Sequence, residues 1–481
     1  MKTFRLIIIA LTCNLTFTAC EDFLNITPEG QIKQNELLAT AEGIEDALYG
    51  AYSQLRSLSL YGQNLSFHTL EVLAQTFSCK GNTTVTALSE YEYTNTSVKS
   101  IFDGIWTEMY KNISNVNGIL EAPLVADAKE YPYTIYKGEA LGLRAFMHFD
   151  LVRLFAEQYT VNPEASGIPY ATTFSLKTPD FEYLKENYQH ILSDLHEAER
   201  LLSNEEDYLE KSYFMTDRQI HCNLHAVRAL LARVYLTMGN NTEAAVYAKK
   251  VIEESPYQLN SKTDIANDVA GVLSQKETLF GIYYAEWYST VYTMLQASVD
   301  YTSLNPRGDI ESIYDKEKEG DDYRTNTDVY FHTADRGGTL TLRLCKLTEF
   351  YELNGQPSKR PQELILGINL IRIPEMYYIV AEALLEEKQD SVATWYFDRV
   401  LESRGLTPLA TRTPSTTVTQ ELINLERFKE YIGEGQTFYN LKRQHIAING
   451  WDISTNQEKT IPANKDIYVI PIPDSEIENR F

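Results

Sequence analysis

The chain has 481 residues, with 43 Lys and Arg against 67 Asp and Glu, for a formal net charge of −24. So acidic a balance makes the chain a poor candidate for electrostatic binding of nucleic acid or of anionic lipid, both of which need a basic patch. Hydrophobic residues make up 43%, enough for a sizeable core, and the length allows one large domain or two to three smaller ones.

The first residues run MKTFRLIIIALTCNLTFTAC. Lys2 and Arg5 make a basic start, an apolar run extends from Leu6 to about Phe17, and Thr18 and Ala19 put small residues before Cys20. That order reads as an export signal over residues 1–19. The run is shorter than the roughly 20 apolar residues that span a bilayer. A cysteine at the cleavage point is the acceptor of a bacterial lipoprotein anchor, and several acyl chains on Cys20 would hold the mature chain stably to a membrane. The alternative is a plain secretory signal with an incidental cysteine. Phe17 stands where Leu is usual. Removing residues 1–19 takes Lys2 and Arg5 and no acid, so the charge of −24 becomes −26. Cys13 leaves with the signal and Cys20 is acylated, so Cys79, Cys222 and Cys345 remain. An odd number outside the cytoplasm leaves at least one thiol free unless it pairs between chains. Cys222, where a helix begins, is expected to be buried.

Helical periodicity dominates the chain beyond the signal. Ile44 to Arg56 places Ala47, Leu48, Ala51, Tyr52 and Leu55 on one face, and Ser100 to Leu120 repeats the pattern through Ile101, Ile105, Met109, Ile113 and Val116. Tyr136 to Phe155 reads as a strongly amphipathic helix, followed by Tyr183 to Leu202. Two helix pairs then recur. His225 to Met238 stops at Gly239, and Asn241 or Thr242 opens Glu243 to Glu254. Pro374, suited to a first helical position, opens the run to Glu387, followed by Ser391 to Arg404 and Gly405. Two antiparallel helices with a tight turn and small residues at the contact resemble tetratricopeptide units of about 34 residues; the alternative is ordinary helical hairpins. Glu277 to Tyr284 reads as a strand. Two stretches, 58–97 and 285–365, show no sustained helical period and are expected to be loop-rich insertions, where recognition usually sits.

Six segments resemble the SusD/RagB family of nutrient-binding outer-membrane lipoproteins, in that family's order. They are CEDFLNITPEG after the signal, EALGLRAFMHFDLVRLF with the following Ile168-Pro169-Tyr170, AVRALLARVYLTMGN, LIRIPEMYYIVAEALLE, ERFKEYIGEGQTFYNLKR, and VIPIPDSEIENRF. The chain departs from the family's pattern at Ala156, where Gly is common. Gln436 replaces a usual Arg or His, Asn440 replaces Asp, and Arg480 replaces Pro. The resemblance implies a mostly α, single SusD-like domain over 20–481, with helix pairs near 44–120, 136–202, 225–254 and 374–404 and a loop-rich ligand-binding half with a few short strands. It implies a partner, a SusC-like TonB-dependent barrel transporter, over which the lipoprotein sits at the outer membrane, facing the cell exterior. It further implies capture of glycans, or of peptides in some members, and no catalysis.

Glycan capture asks for exposed aromatic rings, on which the C–H faces of sugars stack, beside groups that bond hydroxyls. The densest such run is Tyr283, Tyr284, Trp287, Tyr288 and Tyr292, continuing to Tyr301, Asn305 and Arg307. Alternation along the strand turns either Tyr283 or Tyr284 to the core, while Trp287 and Tyr288 fall in the loop beyond it. Trp287 is the leading candidate. A second cluster is Tyr61, Gln63 and Asn64 with Tyr91, Tyr93 and Asn95; Tyr91-Glu92-Tyr93 could be a short strand with both rings on one face. For any single ring the competing reading is that it packs in the core.

Glu426, Glu430 and Glu434, four residues apart, put three carboxylates on one helix face, which could reach the spacing of a glycosidase pair. Charged helix faces are more often solvated or paired, and Arg427, Lys442 and Arg443 are near in sequence. His221 and His225 have metal-ligand spacing, but Cys222 stands where a zinc protease has Glu, and Asn223 looks like a helix cap that separates the two. Asp315 to Asp328 is acid-rich and could hold Ca²⁺, yet lacks the spacing of a calcium loop; no other cofactor is expected. Within it, Asp322-Tyr323-Arg324 resembles the SusD/RagB family's Asp-x-Arg element, which implies a structural ion pair.

Overall fold

A computed structural model of the chain describes residues 34–478 apart from 80, 124–131, 176, 178, 210, 268–272, 296–303, 316–319, 326–329, 337, 338, 345, 348–364, 453, 454 and 456. The signal segment, Cys20, Tyr301, Cys345, Arg480 and parts of the 315–328 acidic stretch therefore lie outside the described residues.

Four helix pairs make the scaffold, and we number the principal elements only. Helix α1 (Ala41–Leu55) packs on α2 (Thr96–Glu121). Helix α3 (Tyr133–Phe155) packs on α4 (Leu184–Leu202), α5 (Leu224–Thr237) on α6 (Asn241–Glu254), and α8 (Ile373–Glu386) on α9 (Asp390–Ser403). Caps set the starts. The Thr40 side chain accepts from Gly43 N, and Asn95 from Ser97 N. Asn240, rather than Asn241 or Thr242, caps α6, accepting from Glu243 N, and the helix starts at Asn241. Gly239 and Gly405 end their helices with φ of +75° and +83°, in the left-handed region that only glycine enters without strain. Among the described residues no helix is long and apolar enough to cross a membrane.

Helix α3 corrects one expectation. It is not amphipathic: nearly every residue from Tyr133 to Phe155 is buried, because α1, α2, α4 and α5 all pack against it. Its polar residues survive burial by finding partners. Arg144 forks onto Asp194 at 2.7 Å through both Nε and Nη2, and Arg153 pairs with Asp150.

Strand β1 (Thr278–Tyr283) pairs antiparallel with β4 (Gly367–Arg372), in a register that sets Tyr283 opposite Gly367 and Thr278 opposite Arg372. Two hairpins complete the strands numbered here: β2 (Phe331–Arg336) with β3 (Thr339–Leu344), and β5 (Ile448–Asp452) with β6 (Gln457–Ile461). Between β1 and β2 the chain forms helix α7 (Trp287–Leu295), where a loop was expected. Its buried residues Trp287, Val291 and Leu295 repeat every four positions, so the apolar face overrides the weak helix propensity of its aromatic and β-branched residues.

The stretch 58–97 is likewise no exposed insertion. Leu60, Tyr61, Leu65, Phe67, Leu70, Val72, Leu73, Phe77 and Leu88 are all in the core. Within it, Tyr91 sits at φ +58° in a turn, so Tyr91-Glu92-Tyr93 is not a strand.

Helices α10 (Gln420–Tyr431) and α11 (Gln436–Gln444) close the scaffold. Glu426 and Glu430 share a face of α10 and Glu434 lies in the turn after it, so the three do not form one helix face; all are buried and every carboxylate is paired. Glu430 accepts from Arg404 at 2.8 and 2.9 Å, from Arg372 at 2.7 Å and from Arg324 at 3.4 Å. Glu426 takes Arg324 and Lys429, each at 2.8 Å, and Glu434 takes Lys346 at 2.6 Å and Arg372 at 2.8 Å. Arg324 also forks onto Asp322, as the sequence reading expected. The neighbours in sequence go elsewhere: Arg427 and Arg443 meet Glu382, and Lys442 donates to the carbonyls of Leu154 and Ala156. A network of this kind is costly to desolvate and costlier to break. It fixes the placement of the β1–β4 pair against α10, since Arg372 ends β4 and Glu277, which bonds Arg404 at 3.0 Å, precedes β1.

Candidate ligand-binding cleft

The exposed aromatic surface the sequence reading sought stands where α1 ends, between the end of β1 and the turns that precede α5. A cleft of about 180 Å³ is lined by Tyr49, Tyr52, Ser53 and Arg56 from α1 and the residue after it. Tyr213, Thr216, Asp217, Ile220 and His221 line it from the turns, and Ile282 and Tyr283 from β1. Positions 49, 52, 53 and 56 are i, i+3, i+4 and i+7, one helix face. Tyr213 is 82% exposed and Tyr283 50% exposed. The ring of Tyr284 turns under the rim, with the Arg56 guanidinium 5.7 Å above it. Alternation along β1 thus resolves with Tyr283 outward and Tyr284 half-buried.

The floor is rigid because it is tied to one buried carboxylate. Glu139 of α3 accepts from Tyr52 Oη at 2.5 Å, pairs with Arg218 at 2.6 Å and meets His221 Nδ1 at 3.2 Å. Burial alone would raise its pKa, but Arg218, His221 and Tyr52 together push it down to about 2, so it stays ionised and holds its partners. Tyr52 Oη in turn accepts from Cys222 N at 2.9 Å. Asp217 sits at φ +47°, a conformation Asp tolerates at some cost, and it accepts from Gln275 Nε2 at 3.3 Å. The arrangement offers two exposed rings as stacking faces, with Arg56, Ser53, Thr216 and Asp217 able to bond hydroxyls. Among the described residues, Asp217 is the one carboxylate in the lining, whereas glycoside hydrolysis uses a flanking pair.

The residues singled out from sequence lie elsewhere. Trp287 is 1% exposed and opens α7, packed edge-on against Phe67 at 5.4 Å, and Tyr288 is 5% exposed beside it. Tyr292 is half-buried on the same helix. Tyr61 is buried, stacked on Phe146, and donates to Asp150 at 2.6 Å. Asn64 is buried and accepts from Thr69 at 2.9 Å. Tyr91 donates to Leu73 O, and Tyr93 to Ile467 O, each at 2.7 Å. Arg307 is buried against Asp309 at 2.8 Å and Asn449 O at 2.6 Å. The expectation that these aromatic side chains are exposed fails for Trp287, Tyr288, Tyr61 and Tyr93, because a long-range partner or an apolar face receives each one. Of the aromatic run, Tyr283 lines the cleft. Tyr213, Arg56 and Asp217 were missed. The signal for Tyr213 was its place in a polar stretch just before the buried pair Phe214-Met215.

Asn223 does cap α5, accepting from Ala226 N at 2.9 Å, so His221 precedes the helix and His225 lies within it. Among the described residues no group of three His, Cys, Asp or Glu side chains is placed to hold a metal ion. Cys79 and Cys222 are both buried.

Comparison with known proteins adds a second line of observation. A family model described as starch-binding associating with outer membrane matches residues 22–236, and the SusD_RagB model, described as SusD family, matches 357–480. The SusD-like protein P2 of Formosa agariphila is 25% identical across 99% of this chain and 97% of its own length. A solved SusD superfamily protein from Bacteroides thetaiotaomicron superposes with a TM-score of 0.70 and 26% identity, over 91% of this chain and 98% of that one. A SusD-like carbohydrate binding protein from Bacteroides vulgatus superposes with a TM-score of 0.68 and 19% identity, over 91% and 96% of the two chains.

Proposed function

This chain belongs to the SusD/RagB family, and from that premise we propose that it is a cell-surface lipoprotein that captures oligosaccharide at the Tyr213–Tyr283 cleft. Its anchor is Cys20, its membrane the outer membrane, and it passes the ligand to a SusC-like TonB-dependent barrel transporter without chemical change. A tether that keeps the binding protein beside its transporter raises the effective concentration of captured ligand at the barrel. The description of one matching family model as starch-binding and associated with the outer membrane supports the ligand class and the location. The structural observation that carries the reading is the pair of exposed rings on a floor locked by Glu139. Preorganised rings stack on sugar faces with little loss of side-chain freedom. Affinity electrophoresis of the soluble protein against a polysaccharide panel tests it. Retarded migration on at least one glycan is expected. No retardation on any, with peptides found by mass spectrometry of material co-purified from native membranes, would replace the sugar by a peptide.

A further inference from the structure

A groove of about 490 Å³ lies between α2 and the segment 170–175, with Lys177 and Glu476 also in its wall. It shares no lining residue with the Tyr213–Tyr283 cleft, and its volume falls within the roughly 300–1,000 Å³ of small-molecule sites. Trp106, Tyr110 and Ser114 recur every four positions on α2 and share one face, with Thr107 beside them. The facing segment belongs to no strand and is held instead by side chains of α2 and α3. Asn117 Nδ2 donates to the carbonyls of Ala171 and Thr173 at 3.0 and 3.2 Å, and Arg144 Nη1 to that of Thr172 at 3.3 Å. Burial holds the pKa of His148 down to about 3, so its neutral ring donates from Nδ1 to Arg144 O at 2.9 Å and accepts at Nε2 from Ala171 N at 3.0 Å. Asn117 and His148 are fully buried. Their bonds fix a segment that buries little of its own, since Thr172, Thr173, Phe174 and Ser175 are all exposed. The effect is to hold a row of small polar side chains in place along the groove.

The chemistry of the wall sorts the ligand classes. Among the described residues Lys177 is its one cation and Glu476 its one anion, so the groove favours neither charge. Side-chain hydroxyls predominate: Thr107, Ser114, Thr172, Thr173 and Ser175. The rings of Trp106 and Tyr170 are each 4% exposed. Tyr170 stacks on His148 at 3.9 Å and His190 at 5.0 Å, and Trp106 packs edge-on against Phe155 at 4.9 Å. Tyr110 is the half-buried ring, fixed by the bond from its hydroxyl to Pro169 O at 2.8 Å and by Trp106 at 4.8 Å. A peptide that adds as a strand needs open backbone groups to pair with, and the carbonyls of 171–173 are already engaged by Asn117 and Arg144. One fixed ring beside a row of hydroxyls, without net charge, suits a neutral sugar.

We propose that this groove is a second saccharide site, in which a neutral sugar lies against the Tyr110 ring while Thr107, Thr172 and Thr173 bond its hydroxyls. It rests on the glycan reading of the chain, and a glycan long enough to span both sites gains avidity from the pair. Titration calorimetry on the mature protein with maltoheptaose, cellohexaose, xylohexaose and mannohexaose, beside hexagalacturonate as the acidic counterpart, tests it. In the Tyr213→Ala/Tyr283→Ala background, which disables the cleft, at least one neutral oligosaccharide should still bind, and more tightly than hexagalacturonate. Adding Thr107→Ala, Thr172→Ala and Thr173→Ala should weaken that remaining binding at least roughly tenfold, the loss expected for two or three hydroxyl contacts. Tm should not change, because the three side chains are exposed. Binding that survives the cleft variant and is lost with the three hydroxyls supports the groove even where the cleft takes no glycan. Wild-type binding that vanishes in the cleft variant overturns the groove and leaves the cleft standing. Undiminished binding without the three hydroxyls, or hexagalacturonate as the tightest ligand, overturns the groove alone. No binding of any oligosaccharide by the wild type overturns the groove and the glycan reading together.

Discussion

Replacing Glu430 by Gln keeps the side chain's shape and removes its charge, at a site where three arginines converge. The carboxylate accepts from Arg404 at 2.8 and 2.9 Å, from Arg372 at 2.7 Å and from Arg324 at 3.4 Å. In Glu430→Gln one oxygen becomes a donor aimed at guanidinium groups that have nothing to accept with. Breaking a buried ion cluster from one side costs about 3–5 kcal/mol. With an unfolding entropy near 2.1 cal/mol/K per residue over roughly 450 residues, that cost lowers Tm by about 4 °C. Differential scanning calorimetry reads the shift directly. Glu197→Gln is the control, because Glu197 pairs with Arg200 on the surface, where a pair contributes at most about 1 kcal/mol. The pH dependence carries a second signature. Burial opposes ionisation of Glu430, but Arg404 and Arg372 override it and hold its pKa well below the ordinary 4.5. A depressed acid stabilises the fold above its unfolded value and loses that contribution as pH falls through the folded one. The gap between wild type and Glu430→Gln should therefore be full at pH 7 and shrink only below about pH 4.5. Equal shifts for Glu430→Gln and Glu197→Gln would refute the reasoning.

Glu71 titrates in the opposite sense: it is fully buried and burial pushes its pKa up to about 7, so its share of stability, roughly 3 kcal/mol, is lost as pH rises from about 4.5 to 7. Glu71→Gln keeps an acceptor for Gly435 N and should be the more stable protein at pH 8 and little different at pH 4, as denaturant midpoints at both pH values would show. Trp287→Ala should lower stability by about 3–5 kcal/mol, since it empties a buried site, while retention on glycan at low temperature stays unchanged; lost retention with an unchanged Tm would put Trp287 at the ligand. Asn223→Ala removes the cap on Ala226 N and the bonds to the carbonyls of Arg218 and Leu279, and should cost about 2 kcal/mol or more in urea unfolding.

The helix pairs were legible because each buries a continuous stripe, and a stripe is a sequence property. Tyr52 and Leu55 on α1, or Gly239 at the end of α5, announce themselves within a dozen residues. Strand β4 was not read because its partner β1 is about 90 residues away and only the pairing makes Gly367–Arg372 extended. Aromatic exposure was harder still. Tyr61 is fixed by Asp150, 89 positions on, and no local pattern separates it from Tyr283, which stays half in solvent. The three glutamates were read as one helix face, solvated or paired, but two stand on α10 and one in the turn beyond it, and their partners Arg324, Arg372 and Arg404 come from other elements.

The central claim is that glycan is captured by the two exposed rings above the Glu139 floor. The most direct measurement is the affinity of Tyr213→Ala/Tyr283→Ala for whichever polysaccharide the wild type retains, with Tm measured beside it. Each ring is worth about 1 kcal/mol or more in stacking, so the double variant should bind at least roughly tenfold more weakly with an unchanged Tm, since both rings stand in solvent. Undiminished affinity in a folded double variant would contradict the account.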